Sequence, residues 1–341
     1  MLSFLSDYTE GAHPQVLQAL IDSNMVTLPG YGEDAYCQRA KEKIRAFCGG
    51  SDADVYFLSG GTQANLVVIS TMLRRYEAVV CADSGHINVH EAGAVEFTGH
   101  KIIPLPAEDG KLPAAAVADY AKSFYADESH THMPFPGMVY ISHPTELGTL
   151  YTRAELYALA EVCRRYGLRL FMDGARLGYG LVSPASDLTV EDIAACCDVF
   201  YIGGTKVGAL CGEAVVFPRH GMPPHFDTMV KQQGAMPAKG RLLGVQFDAL
   251  FTDGLYLEIS RHAVALAMEL KAALLERGYK LLIDSPTNQQ FVILDNEKLA
   301  ALREHVAFNL WGPVDEAHTA IRLVTSWATR PESIEELKKL L

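Results

Sequence analysis

From about residue 15 to residue 217 the chain alternates short apolar runs with helical patterns, and that alternation constrains its architecture more than any other feature. The runs Val55-Tyr56-Phe57-Leu58, Ala78-Val79-Val80-Cys81, Met138-Val139-Tyr140-Ile141 and Val199-Phe200-Tyr201-Ile202, with residues 169–172 and 214–217, read as short buried strands. Near-continuous apolar strands are covered on both faces, which points to a mostly parallel sheet. Helical stretches at 15–22, 37–47, 62–75 and 152–166 supply the covers, with 86–96 as a further candidate. The stretch Thr152-Arg153-Ala154-Glu155 has the form of a capping box, and Gly167 supplies the stop. The expected class is α/β, a mostly parallel central sheet with helices on both faces.

The pattern changes near residue 254. A long helical stretch at 254–277 precedes strand-like runs at 290–294 and 320–325, the signature of a smaller C-terminal α+β domain. A length of 341 residues suits about two domains. The expected division is an N-terminal arm over 1–12, a large α/β domain over 13–245 and a small domain over 246–341. The net charge of −12 argues against a nucleic-acid partner, which needs a clustered basic face. No apolar run is long enough to cross a membrane, and the first residues lack the basic and apolar regions of a signal peptide, so a cytoplasmic protein is expected. Seven cysteines, an odd number with no C-x-x-C pair, read as reduced thiols.

Lys206 ends the apolar run 199–202 and lies in Gly203-Gly204-Thr205-Lys206-Val207-Gly208. A buried strand end fenced by glycines is an odd place for a solvated charge. It suits an amine that forms a Schiff base with an aldehyde cofactor. One αβ step upstream, Asp173 ends a second strand in Asp173-Gly174-Ala175-Arg176, where ligands collect in open α/β sheets. A carboxylate there can hold the ring nitrogen of pyridoxal 5′-phosphate (PLP), or simply cap a turn. Arg176 suits a carboxylate or a cofactor oxygen, or an ordinary ion pair. Ser59-Gly60-Gly61-Thr62 joins a strand to a helix and can cradle a phosphate on free backbone N–H groups; a tight turn that needs glycine explains the same residues. His86 and His90 stand four apart, but Glu91 lies outside the pair, unlike the His-Glu-x-x-His order of metalloproteases, and no metal is expected. A planar His86 ring stacked on a cofactor ring is the better reading. Arg322 is a charge among apolar neighbours, which usually has an anionic partner.

Together these residues resemble the threonine aldolase and β-eliminating lyase family of fold-type-I PLP enzymes. The resemblance runs from Ser6 to about Arg330 and rests on Gly61-Thr62-Gln63-Ala64-Asn65, His86 with Glu91-Ala92-Gly93, Asp173-Gly174-Ala175-Arg176, Thr205-Lys206 and Arg322-Leu323-Val324-Thr325. It implies a fold-type-I, transferase-like fold and PLP as cofactor. Lys206 then resembles the Schiff-base lysine, Gly61 and Thr62 the phosphate binders, His86 the stacking histidine and Asp173 the partner of the ring nitrogen. Ser6, Arg176 and Arg322 look like the contacts to the substrate carboxylate. Tyr31 matches a tyrosine that lies near the active site of a neighbouring subunit, and Lys231, Lys239 or Arg241 falls where the family draws a basic phosphate contact from that chain. A homodimer or homotetramer is implied.

One segment departs from the family. Threonine aldolases usually carry a histidine in the loop after the central strand, and here Glu146 takes that place within Ser142-His143-Pro144-Thr145-Glu146. Glutamate can act as a base on a β-hydroxyl. The implied activity is retro-aldol cleavage of β-hydroxy-α-amino acids to glycine and an aldehyde. The alternative is a β-eliminating amino-acid lyase that gives an α-keto acid and ammonia.

Overall fold

The computed structural model describes residues 1–50 and 52–341. The chain opens on a two-residue strand, β1 (Leu2–Ser3). Among the described residues a seven-stranded sheet follows, built from β2 (Asp54–Leu58), β3 (Glu77–Ala82), β4 (Ile102–Leu105), β5 (Phe135–Ser142), β6 (Arg169–Asp173), β7 (Val199–Gly203) and β8 (Glu213–Phe217), in the order β2-β8-β7-β6-β5-β3-β4. The run β7-β6-β5-β3-β4 is parallel, and β8 is antiparallel to both of its neighbours, β7 and β2. Every residue of β7 and β8 is buried, as continuous apolar strands covered on both faces should be.

The sequence patterns locate most elements, with differences that have local causes. The helix expected to reach residue 75 is Gly61–Met72. The expected helix at 86–96 is two short helices, His86–Val89 and Ala94–Phe97. Ala92 and Gly93 between them have positive φ, 51° and 74°, which a continuous helix does not allow. The capping box at Thr152 is present, with both reciprocal bonds to Glu155. The expected division at residue 245 falls inside a helix, Arg241–Leu250, whose Leu243, Phe247 and Leu250 belong to the large core.

The C-terminal part is a four-stranded antiparallel sheet. Its strands are β9 (Lys280–Ile283), β10 (Gln289–Asp295), β12 (Asn309–Pro313) and β13 (His318–Val324), in the order β12-β13-β10-β9, and β11 (Val306–Ala307) pairs in parallel with β1. The 22-residue helix Leu255–Glu276 joins the two lobes. Its first half, with Tyr256, Ile259 and Ala263, packs in the large core, and its second half, with Leu266, Leu270 and Leu274, packs with Phe4 in the small one. Phe4 thus ties the start of the chain to the core of the small lobe. The phenylalanine amide donates to Ala307 O at 2.8 Å, and its carbonyl accepts from Val324 N at 2.9 Å.

Six strands run one way and β8 the other, so the C-terminal ends of β2, β3, β5, β6 and β7 and the N-terminal end of β8 meet at one sheet edge. Two glycines let that edge close. A Cβ on Gly174 would collide with the carbonyl oxygen of Tyr201, and one on Gly203 with the carbonyl of Ala175. Backbone atoms give way poorly, so Gly174→Ala should cost about 1–3 kcal/mol of stability, measured as a lowered midpoint in urea unfolding.

Candidate active site

The strand ends deliver a single cleft. Ser59, Gly60, Gly61 and Thr62 follow β2, His86 follows β3, Ser142 ends β5 and Glu146 follows it, Asp173 ends β6, Thr205 and Lys206 follow β7, and Glu213 begins β8; all of them line it. A continuation of the cleft toward the small lobe is lined by Tyr8, His90, Trp311 and Arg322, again with Arg176, Glu146 and Lys206. The residues singled out from the sequence thus converge, apart from Ser6 and Tyr31. Ser6 is buried, its hydroxyl 3.5 Å from Asp7 Oδ1. Tyr31 is 52% exposed and faces Lys231, whose Nζ lies 4.6 Å from the ring centroid. Of the other two basic candidates, Arg241 donates to the carbonyls of Val26 and Asn24, and Lys239 is exposed.

Lys206 stands on a clamped turn. Its carbonyl accepts the Tyr179 hydroxyl at 2.6 Å, and the amides of Gly204 and Thr205 donate to Gly212 O at 3.0 and 3.1 Å. Burial and then the Arg176 guanidinium hold its ammonium below the usual lysine range, against the pull of Asp7, Asp173 and Glu213. A lowered pKa enlarges the share of neutral amine, which is the nucleophilic form.

Asp173 is buried in a nest of donors. Its Oδ2 accepts the Tyr140 hydroxyl at 2.5 Å and Asn65 Nδ2 at 3.2 Å, and its Oδ1 accepts Ala175 N at 2.9 Å. Burial pushes the carboxyl up, but the His86 charge and the Tyr140 hydrogen bond outweigh it, and Asp173 stays below the usual carboxylate range. It is an anion in a dry site, the form that favours a protonated ring nitrogen. Asn65 Nδ2 also donates to Glu91 Oε1 at 2.7 Å, and that oxygen lies 2.8 Å from His86 Nδ1. A carboxylate only accepts, so Nδ1 carries the proton and the ring is fixed. Burial lowers the His86 pKa, and the Glu91 hydrogen bond and the Asp173 charge more than restore it, leaving it above the usual value.

Glu146 Oε1 accepts the Ser142 hydroxyl at 2.7 Å and the His86 amide at 2.9 Å. Burial pushes its carboxyl above the usual range against the Ser142 bond. His143, in the same loop, is fully buried with Nδ1 accepting Tyr151 N at 3.3 Å, and burial lowers its pKa to about 4. It has no place in the cleft lining.

Arg176 is already engaged. Its Nε and Nη2 meet Asp7 Oδ2 and Oδ1 at 2.7 and 2.9 Å, and Asn288 Nδ2 donates to the same Asp7 at 3.0 Å. Arg322 is different. One Nη donates to Gln289 Oε1 at 3.0 Å, while its Nε is buried with no partner. The sequence reading missed Asp7, Tyr140, Tyr8 and Glu213. Asp7 adjoins the singled-out Ser6. Tyr140 was hidden inside an apolar strand, and only tertiary placement reveals its hydroxyl as polar.

The cleft fits PLP on its own geometry. It pairs a half-buried lysine of depressed pKa with a buried anionic aspartate. Gly60, at the N-terminus of a 12-residue helix, makes no side-chain cap and would place a Cβ in open space. Residues 3–293 match the family of beta-eliminating lyases. The chain belongs to that family. It is 30% identical over 339 residues to the low specificity L-threonine aldolase of Pseudomonas aeruginosa, covering 98% of this chain and 96% of that one. It is 31% identical over 340 residues to the corresponding enzyme of a Pseudomonas sp. strain, covering 98% and 95%. The solved structure of Leishmania major threonine aldolase superposes with a TM-score of 0.95 at 42% identity, covering 100% of this chain and 99% of that one. Aspartate aminotransferase from Thermus thermophilus, at 15% identity and a TM-score of 0.70, shares the fold. This beta-eliminating lyase family member is a PLP-dependent enzyme of fold type I.

In it, Asp7 and Arg176 form a buried ion pair. Removing one partner strands the other, at a typical cost of about 3–5 kcal/mol. Asp7→Ala should therefore lower the unfolding midpoint far more than substituting an exposed ion-pair partner such as Glu161, compared by denaturant titration.

Proposed function

We propose that this protein cleaves β-hydroxy-α-amino acids by a retro-aldol reaction to glycine and an aldehyde. The observation that carries the reading is Glu146, a raised-pKa carboxyl that shares one cleft with Lys206, Asp173 and Arg322. Relatives at 30% and 42% identity named threonine aldolases support it.

Lys206 would hold the cofactor's aldehyde carbon, Asp173 its ring nitrogen and His86 a face of its ring. Ser59, Gly60, Gly61 and Thr62 would receive the phosphate. Bound PLP supplies an electron sink for the pair released from the Cα–Cβ bond. The chain does the rest. The Arg322 guanidinium, which lines the cleft, takes the substrate carboxylate, and Arg176, locked by Asp7, presents its remaining N–H groups beside it. Glu146 removes the β-hydroxyl proton. The Ser142 hydroxyl and the His86 amide, both donating to Oε1, stabilise its deprotonated form. Tyr31 and Lys231, outside this cleft, would reach the cleft of a neighbouring subunit in a homodimer or homotetramer.

A base must be deprotonated to act, so activity should rise with pH through the Glu146 pKa. Because that pKa is raised, the acid limb of kcat/KM should lie above the usual carboxylate range of about 4. Glu146→Gln should abolish that limb and lower kcat by roughly 10²–10⁴-fold with PLP still bound. The decisive assay supplies PLP-loaded protein with threonine, allo-threonine and phenylserine. Release of glycine and aldehyde is expected, and α-keto acid with ammonia would assign β-elimination instead. Borohydride reduction should place the pyridoxyl label on Lys206; a label on any other lysine defeats the anchor assignment.

A further inference from the structure

Glu213 has no part in the roles above, yet it lies at the phosphate end of the cleft. Antiparallel β8 puts its first residue between two loops that matter. In register, Glu213 faces Leu58, the residue before Ser59-Gly60-Gly61, and on the other side Gly203, three residues before Lys206. Its side chain is buried and lines the same cleft as Ser59, Thr62, Thr205 and Lys206. Oε1 accepts the Thr205 hydroxyl at 2.8 Å, and Oε2 accepts Gly204 N at 3.1 Å. An ionised carboxylate beside a phosphate dianion is a repulsive pair in a dry site. It would also hold the Thr205 hydroxyl hydrogen on itself, turned away from any phosphate.

We propose that Glu213 works as a neutral acid, and that its proton frees Thr205 to donate to the cofactor phosphate. The protonated carboxyl donates to Thr205 Oγ1, and the threonine hydrogen turns into the cleft. Loss of the proton reverses that hydrogen bond and places a negative charge in the cradle. Burial supports the neutral form, pushing the Glu213 carboxyl up to about 8. The titratable groups around it are Lys206, Asp173, Tyr201 and Tyr256, and Lys206 alone favours the anion. The inference rests on assigning Ser59–Thr62 and Thr205 to the phosphate.

The sign of the pH dependence follows. The protonated site binds phosphate, so affinity is full below the Glu213 pKa and falls about tenfold per pH unit above it. The cofactor's phosphate, with a second pKa of about 6, is already a dianion in that range. Titrations of Lys206 and Asp173 act on the ring and aldehyde, which pyridoxal shares with PLP. The ratio of PLP to pyridoxal affinity therefore isolates the phosphate end.

The test uses the full-length protein freed of cofactor. PLP and pyridoxal are titrated separately between pH 6.5 and 9.5, read by quenching of protein fluorescence. In the wild type the affinity ratio should fall by about tenfold or more between pH 8 and 9.5, and in Glu213→Gln, which stays neutral, it should be flat. A flat wild-type ratio overturns the proposal, as does an equal fall in both proteins. A ratio near one already at pH 7 removes the phosphate cradle itself, and the proposal with it. Calorimetry of the wild type at pH 9 in two buffers gives a readout independent of the variant. PLP should take up close to one proton more than pyridoxal, and equal uptake overturns the proposal.

Discussion

The Asp7–Arg176 ion pair joins three parts of the chain that are distant in sequence. Asp7 comes from the N-terminal arm, Arg176 from the turn after β6, and Asn288, which donates to the same carboxylate, from the residue just before β10. Two charges this deeply buried are tolerable only as a pair with every lone pair placed. Burial pushes the Asp7 carboxyl up, but Arg176 and Lys206 hold it below the usual range, so the pair stays ionised. The cleft between the lobes is shaped around it. Tyr8 and Arg322 enter from the small-lobe side, and Lys206 and Glu146 from the sheet.

Electrostatic balance then sets the chemistry of each side chain. Asp173 is driven toward its anion by tyrosine, asparagine and backbone donors, and Glu146 and Glu213 are driven toward their acids by burial with fewer donors. The carboxyls at this sheet edge are thus pushed in opposite directions, Asp173 down and Glu146 and Glu213 up. Their environments differ in hydrogen-bond donors more than in depth. A lowered pKa suits a carboxyl that stays ionised, and a raised one suits a carboxyl that exchanges a proton.

Glycine geometry makes this crowding possible. Gly174 and Gly203 bring the ends of β6 and β7 close enough for one carboxylate and one amine to share a cleft, and Gly208, with φ of 87°, closes the turn that carries the lysine. A strand order that places β8 between β2 and β7 brings Glu213 beside the turn at Ser59–Thr62. No sequence proximity between Ser59 and Glu213 would suggest that neighbourhood.

The sequence by itself indicated the α/β class, six of the seven strands of the main sheet, the capping box at Thr152 and, as candidates, Lys206, Asp173, His86, Gly61, Thr62 and Arg322, because each leaves a local mark. Those marks are apolar runs, glycine fences and charges at strand ends. It also singled out Glu146, which lines the cleft. Only the tertiary structure decided the partners. Tyr140 read as one more apolar strand residue, yet its hydroxyl binds Asp173. Asp7 and Glu213 carried no local pattern. Arg176 gave no sign that its fork was already taken. The helix at 241–250 fell where a domain break was expected. These facts depend on which strand ends meet and which side chains lose water there, and such long-range pairings have no periodicity along the chain.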